Sequence, residues 1–171
     1  NLPIVGITIG DVAGIGPEVV LKAVRQPEVQ RQCRPLVIGD ARVFTDPRFA
    51  ALASRFEVVS RVADATFPPE AVTLLDLHNL NPAQVAMGEI SPAAGRAAVE
   101  YVITAVDLAL AGEISAVATA PLNKAAMQQA GYAYLGHTEL LMERTKTDHC
   151  TTMLAKPGLR VTHVTRHVPF R

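Results

Sequence analysis

The sequence carries no surplus of charge: 16 lysines and arginines offset 16 aspartates and glutamates over 171 residues. That balance argues against nucleic acid or an acidic membrane surface as a partner. Cysteine is nearly absent. Cys33 and Cys150 stand far apart without metal-ligand spacing, and they read as reduced, buried thiols of a cytoplasmic protein rather than as a disulfide. No apolar run reaches the length of a membrane span, and no segment reads as a signal peptide. The Ala-rich segment 93–111 contains Arg96, Glu100 and Asp107, which marks it as a helix of a soluble protein. Hydrophobic residues, at 49%, are plentiful enough for a substantial core.

Apolar, strand-like runs alternate with helix-like segments. Strands are expected at Ile4–Ile9, Pro35–Gly39, Glu57–Val59, Val72–Leu77, Ser115–Ala120, Thr151–Ala155 and Arg160–Thr165. Helices are expected near 17–26, 41–53, 92–111, 123–130 and 138–146. Such alternation predicts an α/β fold, a mostly parallel sheet with helices on both faces. The longest helix has Ser91 as a natural N-cap, Pro92 as its first residue and Gly112 as its stop. Ala94, Ala97, Ala98, Tyr101, Ala105 and Leu108 fall on one face of mostly small side chains, which permits close packing. The stretch Thr66-Phe67-Pro68-Pro69-Glu70 reads as a loop.

One turn stands out. Gly10-Asp11-Val12-Ala13-Gly14-Ile15-Gly16-Pro17-Glu18 follows an apolar strand and precedes a helix, the place where α/β proteins build sites. Its glycines allow sharp turning and close approach of a ligand, and free N–H groups at the helix start can hold an anion. It is not the dinucleotide fingerprint, because Val19 stands where the third glycine belongs, and no Gly-Lys-Ser/Thr follows to make a P-loop. On the residues alone, plain architecture is the commoner reading of such a turn. Asp11 fits either reading, as a ligand contact or as a brace for the turn.

Elsewhere, His137-Thr138 lies between Gly136 and Glu139 at a helix start, where an imidazole and a hydroxyl can bind phosphate or carboxylate. The bland alternative is a capping threonine beside a surface histidine. His167 lies just past a strand, with a hydrogen-bonded loop histidine as the alternative to a metal ligand. His163, four residues earlier, reads as a strand residue, and His78 and His149 as surface or satisfied core residues. Lys124, after the strand 115–120, can neutralise a substrate anion or assist proton transfer, or can be a solvated lysine opening a helix.

The glycine turn, Asn79-Leu80-Asn81-Pro82, Gly88-Glu89-Ile90-Ser91, Thr119-Ala120-Pro121-Leu122-Asn123-Lys124, Gly136-His137-Thr138-Glu139 and Thr165-Arg166-His167-Val168-Pro169 follow one another in the order seen in 4-hydroxythreonine-4-phosphate dehydrogenases. The chain resembles that family from end to end, with Val12 in place of the family's usual proline. The resemblance implies an isocitrate/isopropylmalate dehydrogenase-like fold, with residues 1–171 as the N-terminal part of a two-domain subunit about twice as long. It implies NAD- or NADP-dependent oxidation and decarboxylation of 4-phosphohydroxy-L-threonine to 3-amino-2-oxopropyl phosphate, on the route to pyridoxal 5'-phosphate. A divalent metal (Zn, Mg, Co or Mn) would take His167 as its first histidine ligand, and His137 and Thr138 would hold the substrate. The family works as a homodimer with its active site at the interface. Two alternatives stay open: a sister enzyme acting on erythronate or threonate 4-phosphate, and a non-catalytic phosphate-binding module.

Overall fold

The computed structural model describes residues 2–49, 52 and 55–164. Five parallel strands form one sheet in the order β3-β4-β2-β1-β5, with β1 at Ile4–Thr8, β2 at Arg34–Gly39, β3 at Phe56–Val59, β4 at Val72–Asp76 and β5 at Ala116–Thr119. The helices are α1 (Gly16–Val24), α2 (Pro27–Gln32), α3 (Pro92–Leu110), α4 (Lys124–Gln129) and α5 (His137–Thr145). The crossover from β1 to β2 and the crossover from β4 to β5 run in opposite directions along the sheet. Right-handed connections therefore put α1 and α2 on one face and α3 on the other.

The three inner strands are covered on both faces, so they read as continuous apolar runs rather than alternating ones. Leu36, Val37, Ile38 and Leu74 are fully buried there. Helix α3 begins as expected: the Ser91 hydroxyl accepts from the Ala94 N–H at 3.3 Å, with Pro92 in the first turn. Its small face is buried at Ala94, Ala97, Ala98, Tyr101 and Ala105. Gly95 lets α4 come close, since a Cβ at that position would lie 2.3 Å from the Ala126 backbone. A second apolar cluster of Val99, Val102, Val106, Met127 and Leu140 ties α4 and α5 to α3, which fixes where α5 begins.

Three expectations need correction. The helix expected over 41–53 is two short 3-10 turns, Ala41–Thr45 and Pro47–Phe49. Pro47 lacks a donor and drives Asp46 into the extended region, at φ −63° and ψ 130°. The last two strands, β6 (Met153–Lys156) and β7 (Leu159–Thr162), do not join the parallel sheet; they pair antiparallel with each other. Their turn places Gly158 at φ 78°, a left-handed conformation that glycine adopts without strain. The thiols are not buried: Cys33 is half-buried at the end of the surface helix α2, where it donates to the Val29 carbonyl, and Cys150 is exposed. Both are free, as expected.

Candidate functional site

Because the sheet is parallel, the carboxyl ends of its strands share one edge, and three loops meet there. The glycine turn is one of them. Gly10 takes φ 68°, and a Cβ on it would sit 2.4 Å from the Pro121 carbonyl; at Gly16 a Cβ would sit 2.2 Å from the Ile9 carbonyl. The Asp11 N–H donates to Pro121 O at 2.9 Å. Gly10 thus serves the packing of the turn against the β5–α4 loop, and Gly16 the close approach of the helix start to the Ile9 carbonyl. The buried Asp11 carboxylate accepts the Ala13 N–H at 2.9 Å. Desolvation raises its pKa, partly opposed by that bond. Asp11 is therefore the brace of the turn, the architectural of its two readings.

The β5–α4 loop carries Lys124. Asn123 caps α4 by accepting the Ala126 N–H at 3.1 Å, and Lys124 is the first, exposed residue of that helix. The solvated-helix reading accounts for its placement, and the same placement leaves its ammonium free to approach a ligand along this edge.

The third loop ends at α5. Gly136 stands at its N-cap with an extended backbone and no side chain to cap the first turn. His137 and Thr138 are its first two residues, so Thr138 is not the cap that the bland reading made it. His137 is half-buried beside the Ala120 backbone, just past the end of β5. Burial lowers its pKa below the usual 6.5, against the opposing pull of that backbone. Its Nε2 is buried and has no hydrogen-bond partner among the described residues. The ring is therefore neutral near pH 7, and the hydrogen-bonding capacity of its buried Nε2 is not met among the described residues. Nε2 can accept from a substrate hydroxyl or, once protonated, donate to an anionic oxygen.

A polar cluster at the ends of β2 and β4 was not anticipated. Asp40, Asp76 and His78 bring one ligand atom each within 4.8 Å of one another, a spacing a cation could use. Yet Asp40 is fully engaged. Its Oδ1 accepts from the Arg42 N–H (3.0 Å) and Nε (2.9 Å), and its Oδ2 accepts from Arg42 Nη2 (2.7 Å) and the Leu80 N–H (2.9 Å). Both Asp40 oxygens are thus already taken, by Arg42 and by the Leu80 N–H. Burial pushes the Asp40 carboxyl up, but the bonds from Arg42 and Leu80 outweigh it and leave the pKa lowered. Asp76 accepts the N–H groups of Ala41 and His78. This cluster ties the loop after β2 to the loop after β4. Beside it the fully buried Tyr101 hydroxyl has no hydrogen-bond partner among the described residues, and burial, with Asp40, Glu100 and Asp76 around it, drives its pKa far up. The signal in the sequence was an aspartate directly after each of two apolar runs, Gly39-Asp40 and Leu75-Asp76.

Among the described residues, His78, His149 and His163 are exposed. His163 belongs to the hairpin backbone, its N–H on Thr152 O at 3.3 Å and its carbonyl accepting from the Thr151 hydroxyl at 3.1 Å. His167 lies outside the described residues. The structure therefore brings His137, Thr138 and the loop of Lys124 to one edge, together with Asp11.

Residues 31–171 match the family model described as pyridoxal phosphate biosynthetic protein PdxA. A Clostridium botulinum protein named "Putative D-threonate 4-phosphate dehydrogenase" is 38% identical over 172 residues, covering 100% of this chain and 52% of that protein. A 4-hydroxythreonine-4-phosphate dehydrogenase of Desulforapulum autotrophicum is 39% identical, covering 99% of this chain and 50% of its own length. The crystal structure of a 4-hydroxythreonine-4-phosphate dehydrogenase from Burkholderia phymatum superposes with a TM-score of 0.89 at 41% identity, over 99% of this chain and 51% of that one. The chain thus spans about half the length of the curated relatives it matches.

Proposed function

Because the chain belongs to the PdxA family of pyridoxal phosphate biosynthetic proteins, we propose that it is the amino-terminal part of a two-domain dehydrogenase subunit acting on a 4-phosphorylated hydroxy acid. The substrate is 4-phosphohydroxy-L-threonine, oxidised and decarboxylated to 3-amino-2-oxopropyl phosphate. The observation that carries this reading is the His137 ring: half-buried and neutral, with Nε2 unpartnered among the described residues, at a helix start that no side chain caps. A ring of that kind suits a ligand carrying both a hydroxyl and an anionic group. When bound, the nicotinamide cofactor (NAD or NADP) accepts the hydride, and a divalent ion supplies Lewis acidity toward the substrate hydroxyl.

This chain's own residues position the substrate. His137 takes a hydrogen bond at Nε2, and Thr138 adds a hydroxyl and a first-turn N–H of α5, where the helix dipole favours negative charge. Lys124 offers its charge to the substrate carboxylate or phosphate. His167 is the metal ligand this chain contributes. The working unit is a homodimer with the site at its interface. Two features support the half-subunit reading. The edge strand β5 is exposed at Ala116, Ala118 and Thr119, and every residue of β6 and β7 is exposed. Unpaired edges of this kind are covered in finished folds.

Threonate 4-phosphate is the second substrate reading, favoured by the name of the Clostridium botulinum relative. Steady-state kinetics on the full-length protein with both substrates separates the two. Thr138→Ala should raise KM for the preferred substrate about tenfold, the loss of one hydrogen bond to a charged group, with kcat little changed. An unchanged KM would remove Thr138 from the site.

A further inference from the structure

The opposite, amino-terminal edge of the sheet holds a second concavity, of about 580 Å³, within the range of small-molecule sites. Parallel strands start on the same edge, and three arginines arrive there from different elements. Arg34 opens β2, Arg55 directly precedes β3, and Arg25 caps the end of α1. All three line the cavity, and Glu70 is the one carboxylate among its described lining residues. The surplus is positive in a protein whose overall charge is zero.

Each guanidinium is steadied without being used up. Arg25 donates one N–H to the Leu52 carbonyl. Arg34 lies over the Phe67 ring, 5.7 Å from its centroid, a contact that orients the plane and leaves its five N–H groups free. Arg55 and Glu70 approach only to 3.7 Å, and both are largely exposed. The wall opposite is a built loop. Phe67 takes φ 55°, a strained conformation for a residue with a Cβ, and such strain gathers where ligands are held. Glu57 holds it there, accepting from the N–H groups of Thr66 (2.9 Å) and Phe67 (3.0 Å) and from the hydroxyls of Thr66 and Thr73. Burial pushes the Glu57 carboxyl up, but these bonds outweigh it and keep the group ionised. Its charge is spent inside the loop.

We propose that this cavity is a second binding site, for a small molecule bearing two or more adjacent phosphate groups. Three arginine forks around one space match several anionic oxygens better than one. The site is independent of the dehydrogenase site, which lies at the other end of the strands.

Inorganic pyrophosphate is the probe, titrated calorimetrically into the intact protein at low and at moderate salt. Saturable binding that weakens with salt is expected. Arg34→Gln and Arg55→Gln should each weaken it about tenfold, and Arg34→Lys, which keeps the charge but loses the fork, by less. Both positions are exposed, and an unchanged Tm will show that the variants fold. His137→Ala should leave the dissociation constant unchanged. No binding of pyrophosphate, an unchanged constant in the Arg34→Gln/Arg55→Gln double variant, or loss of binding in His137→Ala would each overturn the proposal.

Discussion

The inner strands of the parallel sheet and the β6–β7 hairpin are built from the same kinds of residue and end in opposite environments. In β2, Leu36, Val37 and Ile38 are fully buried. In the hairpin, Met153, Leu154, Leu159 and Val161 are 45–61% exposed. Apolar side chains in a strand are thus no measure of burial by themselves. Burial comes from the helices that cover a sheet, and the hairpin has no helix packed over it among the described residues. A lone two-stranded hairpin is marginal in water, so the hairpin adds little to the stability of this chain, whereas the sheet body carries most of it.

That contrast can be broken from its strong side first. Leu36→Ala should cost about 3–4 kcal/mol, by lost transfer free energy and an unfilled cavity, read from denaturant unfolding. Gly16→Ala should cost about 2–3 kcal/mol, because the new methyl meets the Ile9 carbonyl and a backbone must shift. Helix α5, which leads from the body toward the hairpin, gives a smaller effect that depends on pH. Burial depresses the folded pKa of His137, so below pH 6.5 the unfolded chain binds more protons there than the folded one. Stability should therefore fall as pH drops from 6.5 toward the folded pKa, and His137→Gln should flatten that part of the profile. At the weak end, Leu154→Ala should change stability by less than about 0.5 kcal/mol. A cost near that of Leu36→Ala would mean that the hairpin packs on the body after all.

How far the residues could be read depended on how local the cause was. The α3 boundaries were legible because Ser91, Pro92 and Gly112 act on their immediate neighbours. The break at Pro47 is equally local, and the 41–53 expectation missed it by weighing apolar spacing over the missing donor. The fate of the last two strands was not legible, since whether a strand joins a parallel sheet or folds back on its neighbour depends on what else is there to pair with. At the candidate site, Gly136-His137-Thr138 stood out in the sequence, and in the structure these residues open α5. The cluster of Asp40, Asp76 and Tyr101 did not stand out, because its members lie 36 and 25 positions apart along the chain.

The sequence by itself determined the α/β alternation, the long capped helix, the glycine turn and the motifs that place the chain in its family. These rest on local backbone preference and on periodicity, which a linear string records. Tertiary structure alone decided that Gly10 packs on the β5–α4 loop and Gly16 on the Ile9 carbonyl, that His137 lies half-buried with its Nε2 unpartnered among the described residues, and that Arg25, Arg34 and Arg55 share one cavity. In each case the deciding contact joins different elements, and a parallel sheet brings the ends of distant strands to a common edge.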